Sequence, residues 1–177
     1  MKKDRYLMLP RETLDLLFEF NLRKLQMVDG LWFLGVEDRF GTEQATNIDY
    51  EVWHRIGISD ARRARETFGI SGDGIPALIN ALKMTWMAFV DWDMEQVSDS
   101  HAVFRAITCY PQKARVERGK GVFDCQPVEE AFFTAYAQTI DPRFRVYCGF
   151  CPRNRGNNDL WCEWHFRLVS PEKVKHR

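Results

Sequence analysis

A chain of 177 residues is long enough to bury a core without disulfides or metals to hold it together. Its 25 basic and 25 acidic side chains cancel, so no global field draws it to nucleic acid or a membrane surface, and no polyanionic partner is expected. An aromatic share of 14% excludes a disordered chain and predicts a core or pocket walled by rings. The opening stretch MKKDRYLMLPRETL has neither the apolar run nor the small-residue cleavage site of a signal peptide. No stretch approaches the roughly 18 apolar residues that span a bilayer. A cytoplasmic location is expected, and in that reducing compartment five cysteines read as thiols, thiolates or metal ligands rather than a disulfide framework.

The first half of the chain has a helical period. After Pro10, apolar residues recur at Leu14, Leu17, Phe18, Leu22, Leu25, Val28, Trp32 and Val36. That spacing of three and four predicts one long helix up to Gly41, or two broken at Gly30. Ala45, Ile48, Val52, Trp53 and Ile56 predict a second helix; SDARRARETFG predicts a third, with Ser59 as N-cap and Gly69 just past its end. IPALINALKMTW reads as a fourth.

Near Trp86 the period changes to two. Val90, Trp92 and Met94 alternate with acidic residues, and Ala102, Phe104 and Ala106 alternate on a second segment, with SDS as the turn of an antiparallel hairpin. PQKARVERG and PVEEAFFTAYAQTI read as helices, the second ending before Asp141-Pro142. RFRVYC and LWCEWHFRL read as two further strands. The expected class is α+β, an N-terminal helical layer packed on a C-terminal antiparallel sheet of about four strands. We expect one domain over residues 1–177, mainly helical in 1–85 and strand-rich and cysteine-bearing in 86–177.

Cys148-x-x-Cys151 and Cys162-x-x-His165, ten residues apart, have the spacing of a zinc ribbon. Strand alternation argues against that set. Leu160, Cys162, Trp164 and Phe166 share one face, whereas Trp161, Glu163 and His165 share the other. His165 is therefore expected across the strand from the Cys162 sulfur. Cys148 lies on the apolar face of the preceding strand, and Cys109 and Cys125 stand at helix entrances, where the helix terminus favours the thiolate. The expectation is that at least three of Cys109, Cys125, Cys148, Cys151 and Cys162 share a metal, zinc first and an iron–sulfur cluster second. Packing as small hydrophobes is the alternative.

Asn21 and Asp29 fall on or beside the first helix's apolar stripe, and Glu37 follows two turns beyond Asp29. A carboxylate beside Trp32 and Phe33 must be paired, protonated or bound to something. Asp29 either takes a bond from a Trp indole, caps a helix begun after Gly30, or serves as a general base or a metal ligand, with Glu37 as the second acid/base candidate. Gln112 and Arg115, after Cys109, are placed to orient a small anion at a helix N-terminus. With Trp32 they are the candidate ligand-binding residues.

DGLWFLGVEDRFG from Asp29, YEVWHRIG from Tyr50, CYPQKARVERGKGVFDCQPV from Cys109 and TIDPRFRVYCGFCPRNRGNNDLWCEWHF from Thr139 together resemble an uncharacterised family of small bacterial and archaeal cytosolic proteins. More distantly the chain is similar to L-2-amino-thiazoline-4-carboxylate hydrolase-like proteins. The resemblance implies cysteine at all five cysteine positions and no fixed histidine at 165. Arg153-Asn154 stand where that family often has proline and an acid. Two functions follow: a metal-assisted hydrolase acting on a C–N or C–S bond of a small molecule, or a non-catalytic ligand- or partner-binding module with a structural four-cysteine zinc site.

Overall fold

The computed structural model describes residues 8–85 and 91–170. Five helices are described, α1 (Arg11–Phe40), α2 (Thr42–Phe68), α3 (Gly74–Leu82), α4 (Tyr110–Glu117) and α5 (Gln126–Ile140). Four strands, β1 (Trp92–Ser98), β2 (His101–Ala106), β3 (Phe144–Phe150) and β4 (Cys162–Leu168), form one antiparallel sheet in the order β1-β2-β4-β3. The α+β class and the helices-then-sheet order are as the change of period required. Val90 and Trp86 lie outside the described residues.

The helix boundaries differ from expectation at one place. Ser59 does not open a third helix, because α2 runs unbroken from Thr42 to Phe68. Gly57, two residues earlier, is a packing residue rather than a breaker. A Cβ built there would stand 2.7 Å from the Phe132 carbonyl oxygen and 3.1 Å from the Ala135 Cβ. α2 thus lies nearly backbone to backbone on α5, and burial of that contact outweighs glycine's poor helix propensity. Gly69 ends α2 in the left-handed conformation, its N–H donating to the Arg65 carbonyl. Gly30 does not break α1.

α5 is buried nearly all round. Phe132 and Tyr136 turn toward α2 and its neighbours, while the Phe133 ring meets Phe104, Trp164 and Phe166 of the sheet at centroid distances of 5.2–5.5 Å. Trp164 and Phe166 are fully buried on the inner face of β4, as the alternation demanded. α3 adds Ile75, Leu78 and Leu82 to the same core. Asp141 ends α5 and accepts the Gly74 N–H at 3.1 Å, joining the end of α5 to the start of α3.

β3 departs from regular pairing between Cys148 and Phe150. Gly149 occupies the irregularity, where a Cβ would meet the Glu163 carboxylate at 2.9 Å and His165 Nε2 at 3.0 Å.

Candidate functional site

α1, α2 and α5 bring three carboxylates within reach of one another's charge, two of them on one indole. Asp49 and Trp53 are one turn apart on α2 and share a face. The Trp53 N–H donates toward both Asp49 and Asp29 of α1. Glu129, in the first turn of α5, completes the group. Burial, followed by the charge of Asp29, pushes Asp49 up to about 7. Burial, followed by the charges of Asp49 and Asp29, pushes Glu129 up to about 7. Burial also raises Asp29. Among the described residues no Lys or Arg bonds to any of the three carboxylates, so near neutral pH the cluster holds protons rather than full charge.

The thiols adjoin this cluster. Burial raises Cys125 and Cys162, and pushes Cys109 up to about 12, with the Glu129 charge adding to each. The expectation that helix N-termini would favour thiolates at Cys109 and Cys125 is therefore reversed, because desolvation outweighs the helix dipole here. Cys151 is fully buried in the turn after β3, its N–H donating to the Asn154 side chain at 2.7 Å. Its sulfur lies 2.7 Å from that of Cys148, and the two are not bonded. The charges of Cys148, Cys125 and Cys162 all act on Cys151.

The expected shell of three sulfurs is not assembled. Among the described residues no three His, Cys, Asp or Glu side chains stand in a metal-holding arrangement. Cys125 accepts the Gln112 amide N–H at 3.4 Å, and Cys162 pairs with Ala106 in the sheet.

The other sequence candidates are placed as follows. Glu37 makes a two-pronged ion pair with Arg115 at 2.9 and 3.0 Å, and Lys120 adds a contact at 3.3 Å. The Arg115 guanidinium holds its carboxyl down at about 2, so Glu37 is a committed acceptor that ties α1 to α4. Gln112 is buried, its amide bonding both the N–H and C=O of Phe123 at 2.8 and 2.9 Å and locking the loop before Cys125. Gln112 and Arg115 are thus occupied within the protein rather than turned to an anion. Trp32 is largely exposed. His165 lies on the outer face of the sheet, stacked on Tyr147 at 4.7 Å and bonded to His101 at 3.0 Å, away from Cys162. An open groove of about 480 Å³ is lined by Tyr50 and His54 of α2 and by Gln126, Glu130 and Thr134 of α5, and none of Asp29, Asp49, Trp53 and Glu129 lines it.

Sequence reasoning missed Asp49, Trp53 and Glu129. The signal was present: Asp49 interrupts the stripe Ala45, Val52, Trp53, Ile56, and Glu129 interrupts the stripe that continues through Phe132, Phe133 and Tyr136.

One family profile matches residues 8–168. The chain belongs to DUF6125, a family of unknown function. No curated protein matches it significantly. Two solved structures share its fold. The phenol-responsive sensory domain of the transcription activator PoxR, solved with phenol, aligns with a TM-score of 0.53 at 16% identity over 78% of this chain and 72% of that one. A trafficking protein particle complex subunit 3 from Naegleria fowleri, covalently bound to palmitic acid, aligns with a TM-score of 0.57 at 13% identity over 86% of this chain and 97% of that one. At these identities the likeness is one of fold. No helix among the described residues is long and apolar enough to cross a membrane.

Proposed function

We propose that this DUF6125 chain is a small-molecule-binding module whose ligand is read by Asp29, Asp49, Glu129 and Trp53. One observation carries the reading. Asp29 and Asp49, from two helices, share the Trp53 N–H, Glu129 from a third lies within reach of their charges, and among the described residues no basic side chain bonds to any of the three. A ligand offering N–H or O–H donors, or a positive charge, beside an aromatic ring satisfies that arrangement. The two fold neighbours were each solved with a small molecule, phenol or palmitic acid, which supports the class. Thermal unfolding with benzamidine, phenol and benzoate tests it. Benzamidine, and more weakly phenol, is expected to raise the midpoint of the wild type and leave Asp49→Asn/Glu129→Gln unmoved; benzoate should do nothing. Equal shifts in wild type and variant, or no shift with any probe, overturn the reading. Hydrolysis of a C–N or C–S bond, which the sequence resemblance implies, would draw on the same carboxylates as acid and base; turnover of an amidine probe would favour it over simple binding.

The thiols support a second reading, a structural zinc ion. Cys148 and Cys151 are adjacent, and Cys125 and Cys162 lie within their electrostatic reach. These four would hold the ion, which would displace the thiol protons that burial otherwise retains. Metal analysis of protein purified without oxygen is expected to give one zinc per chain, lost in Cys151→Ser and kept in His165→Ala. Metal-free protein with five freely titrating thiols, or equal loss in both variants, sinks this reading.

A further inference from the structure

β3 lies at the edge of the sheet and loses its regular pairing between Cys148 and Phe150. In a regular strand, residues three apart are separated by about 10 Å and point to opposite faces. Past the irregularity at Gly149 the sulfurs of Cys148 and Cys151 are instead in contact, 2.7 Å apart. The turn holds them there. The Cys151 N–H donates to the Asn154 side chain at 2.7 Å, and the Asn154 N–H donates back to the Cys151 carbonyl at 2.9 Å. The two thiols differ in access, Cys148 being partly exposed and Cys151 only 2% exposed.

We infer that Cys148 and Cys151 form a modification site, a dithiol that a low-molecular-weight disulfide converts to an intramolecular disulfide, with Cys148 as the entry thiol and Cys151 as the resolving one. The Cys148 thiol gives up its proton, its sulfur bonds to one sulfur of the reagent, and the reagent's S–S bond breaks to release a first thiol. The Cys151 sulfur, once deprotonated, then attacks the Cys148 sulfur of the mixed disulfide, and a second thiol leaves. Two cysteines are oxidised, one reagent disulfide is reduced to two thiols, and the two protons pass to the leaving groups. Access sets the order, since of the pair only Cys148 is reached from solvent. Contact sets the outcome, since the resolving sulfur already lies beside it. Burial raises both thiols, so no thiolate stabilises the reduced form against the disulfide; exchange starts slowly and its product is stable. The inference is independent of ligand binding at the carboxylates, and the same two sulfurs cannot form the disulfide and hold a zinc ion at once.

Cystamine is the probe, because the charges of Glu130, Asp124 and Glu163 around Cys148 favour a cationic disulfide. The reduced full chain is incubated with it at mildly alkaline pH, with and without EDTA, quenched in acid and mapped by mass spectrometry. The wild type is expected to lose two of its five thiols, carry no cysteamine and yield a Cys148–Cys151 cross-linked peptide, all reversed by dithiothreitol. Cys151→Ser is expected to stop at the mixed disulfide with one cysteamine on Cys148, whereas folded Cys148→Ser should take up cysteamine at Cys151 at least about tenfold more slowly. Cys109→Ser should close as the wild type does. If a variant fails to fold, the cross-linked peptide of the wild type decides alone. Closure only with EDTA upholds the pair and adds to the case for zinc; closure in both conditions upholds the pair and counts against zinc. No loss of thiols in either condition, a cross-link to Cys125 or Cys162 instead, or equal uptake at Cys148 and Cys151 in the two variants overturns the inference.

Discussion

Asp49→Asn/Glu129→Gln is expected to be more stable than the wild type at slightly alkaline pH, although it removes two charged groups. Both carboxyls titrate near 7 in the folded chain, against roughly 4 when unfolded. Between those values the folded state keeps protons that the unfolded state has released. Stability therefore falls as pH rises from about 4 to about 7, and levels off above. Asp29, Asp49 and Glu129 supply the mutual repulsion, the Trp53 N–H relieves part of it, and Cys109, Cys125 and Cys162 stay neutral throughout the window. Allowing for partial solvent screening, each ionised carboxylate costs on the order of 1 kcal/mol, so the double variant should gain about 2 kcal/mol at pH ~8 and lose the slope. Urea unfolding midpoints across the pH range measure this. A wild type whose midpoint stays level from acid to alkaline pH would refute the buried cluster, as would a variant whose curve runs parallel to it.

The second large effect is expected at Gly57. In an exposed helix a Gly→Ala change stabilises by about 1 kcal/mol. Here the new methyl meets the Phe132 carbonyl oxygen at 2.7 Å and the Tyr136 backbone nitrogen at 3.2 Å, and backbone atoms do not turn aside as a flexible side chain does. Overpacking of this kind costs about 1–3 kcal/mol, so Gly57→Ala should be destabilising on balance and Gly57→Val more so. Gly30→Ala is the internal contrast. Nothing lies within 4 Å of its would-be Cβ, and the propensity gain should appear undiminished. If the two glycine variants shift unfolding in the same direction, α2 and α5 are not locked as described.

The sheet was legible because alternation is a local code. Trp164 and Phe166 point inward and His165 outward for no reason beyond the period of two. Ser59 misled because a good cap residue carries no information about Gly57, whose role is set by α5, far along the chain. The site was half legible for the same reason. Asp29 stood out within its own helix, but Asp49 and Glu129, which its charge raises, become its neighbours only when α1, α2 and α5 pack. The thiols lay on the faces expected of them; their protonation did not follow, since helix position is written in sequence whereas desolvation belongs to the assembled core.

α5 touches both layers and has almost no free face. Its first turn bears Glu129; its last residue abuts Asp141, which grips the Gly74 N–H and the Arg143 side chain at 3.1 and 2.7 Å. Gly57 of α2 is wedged against its middle, so the helix is held at both its middle and its end. The helix is thus a crossbar that runs from the acidic cluster at its first turn to the corner where α3 and β3 begin.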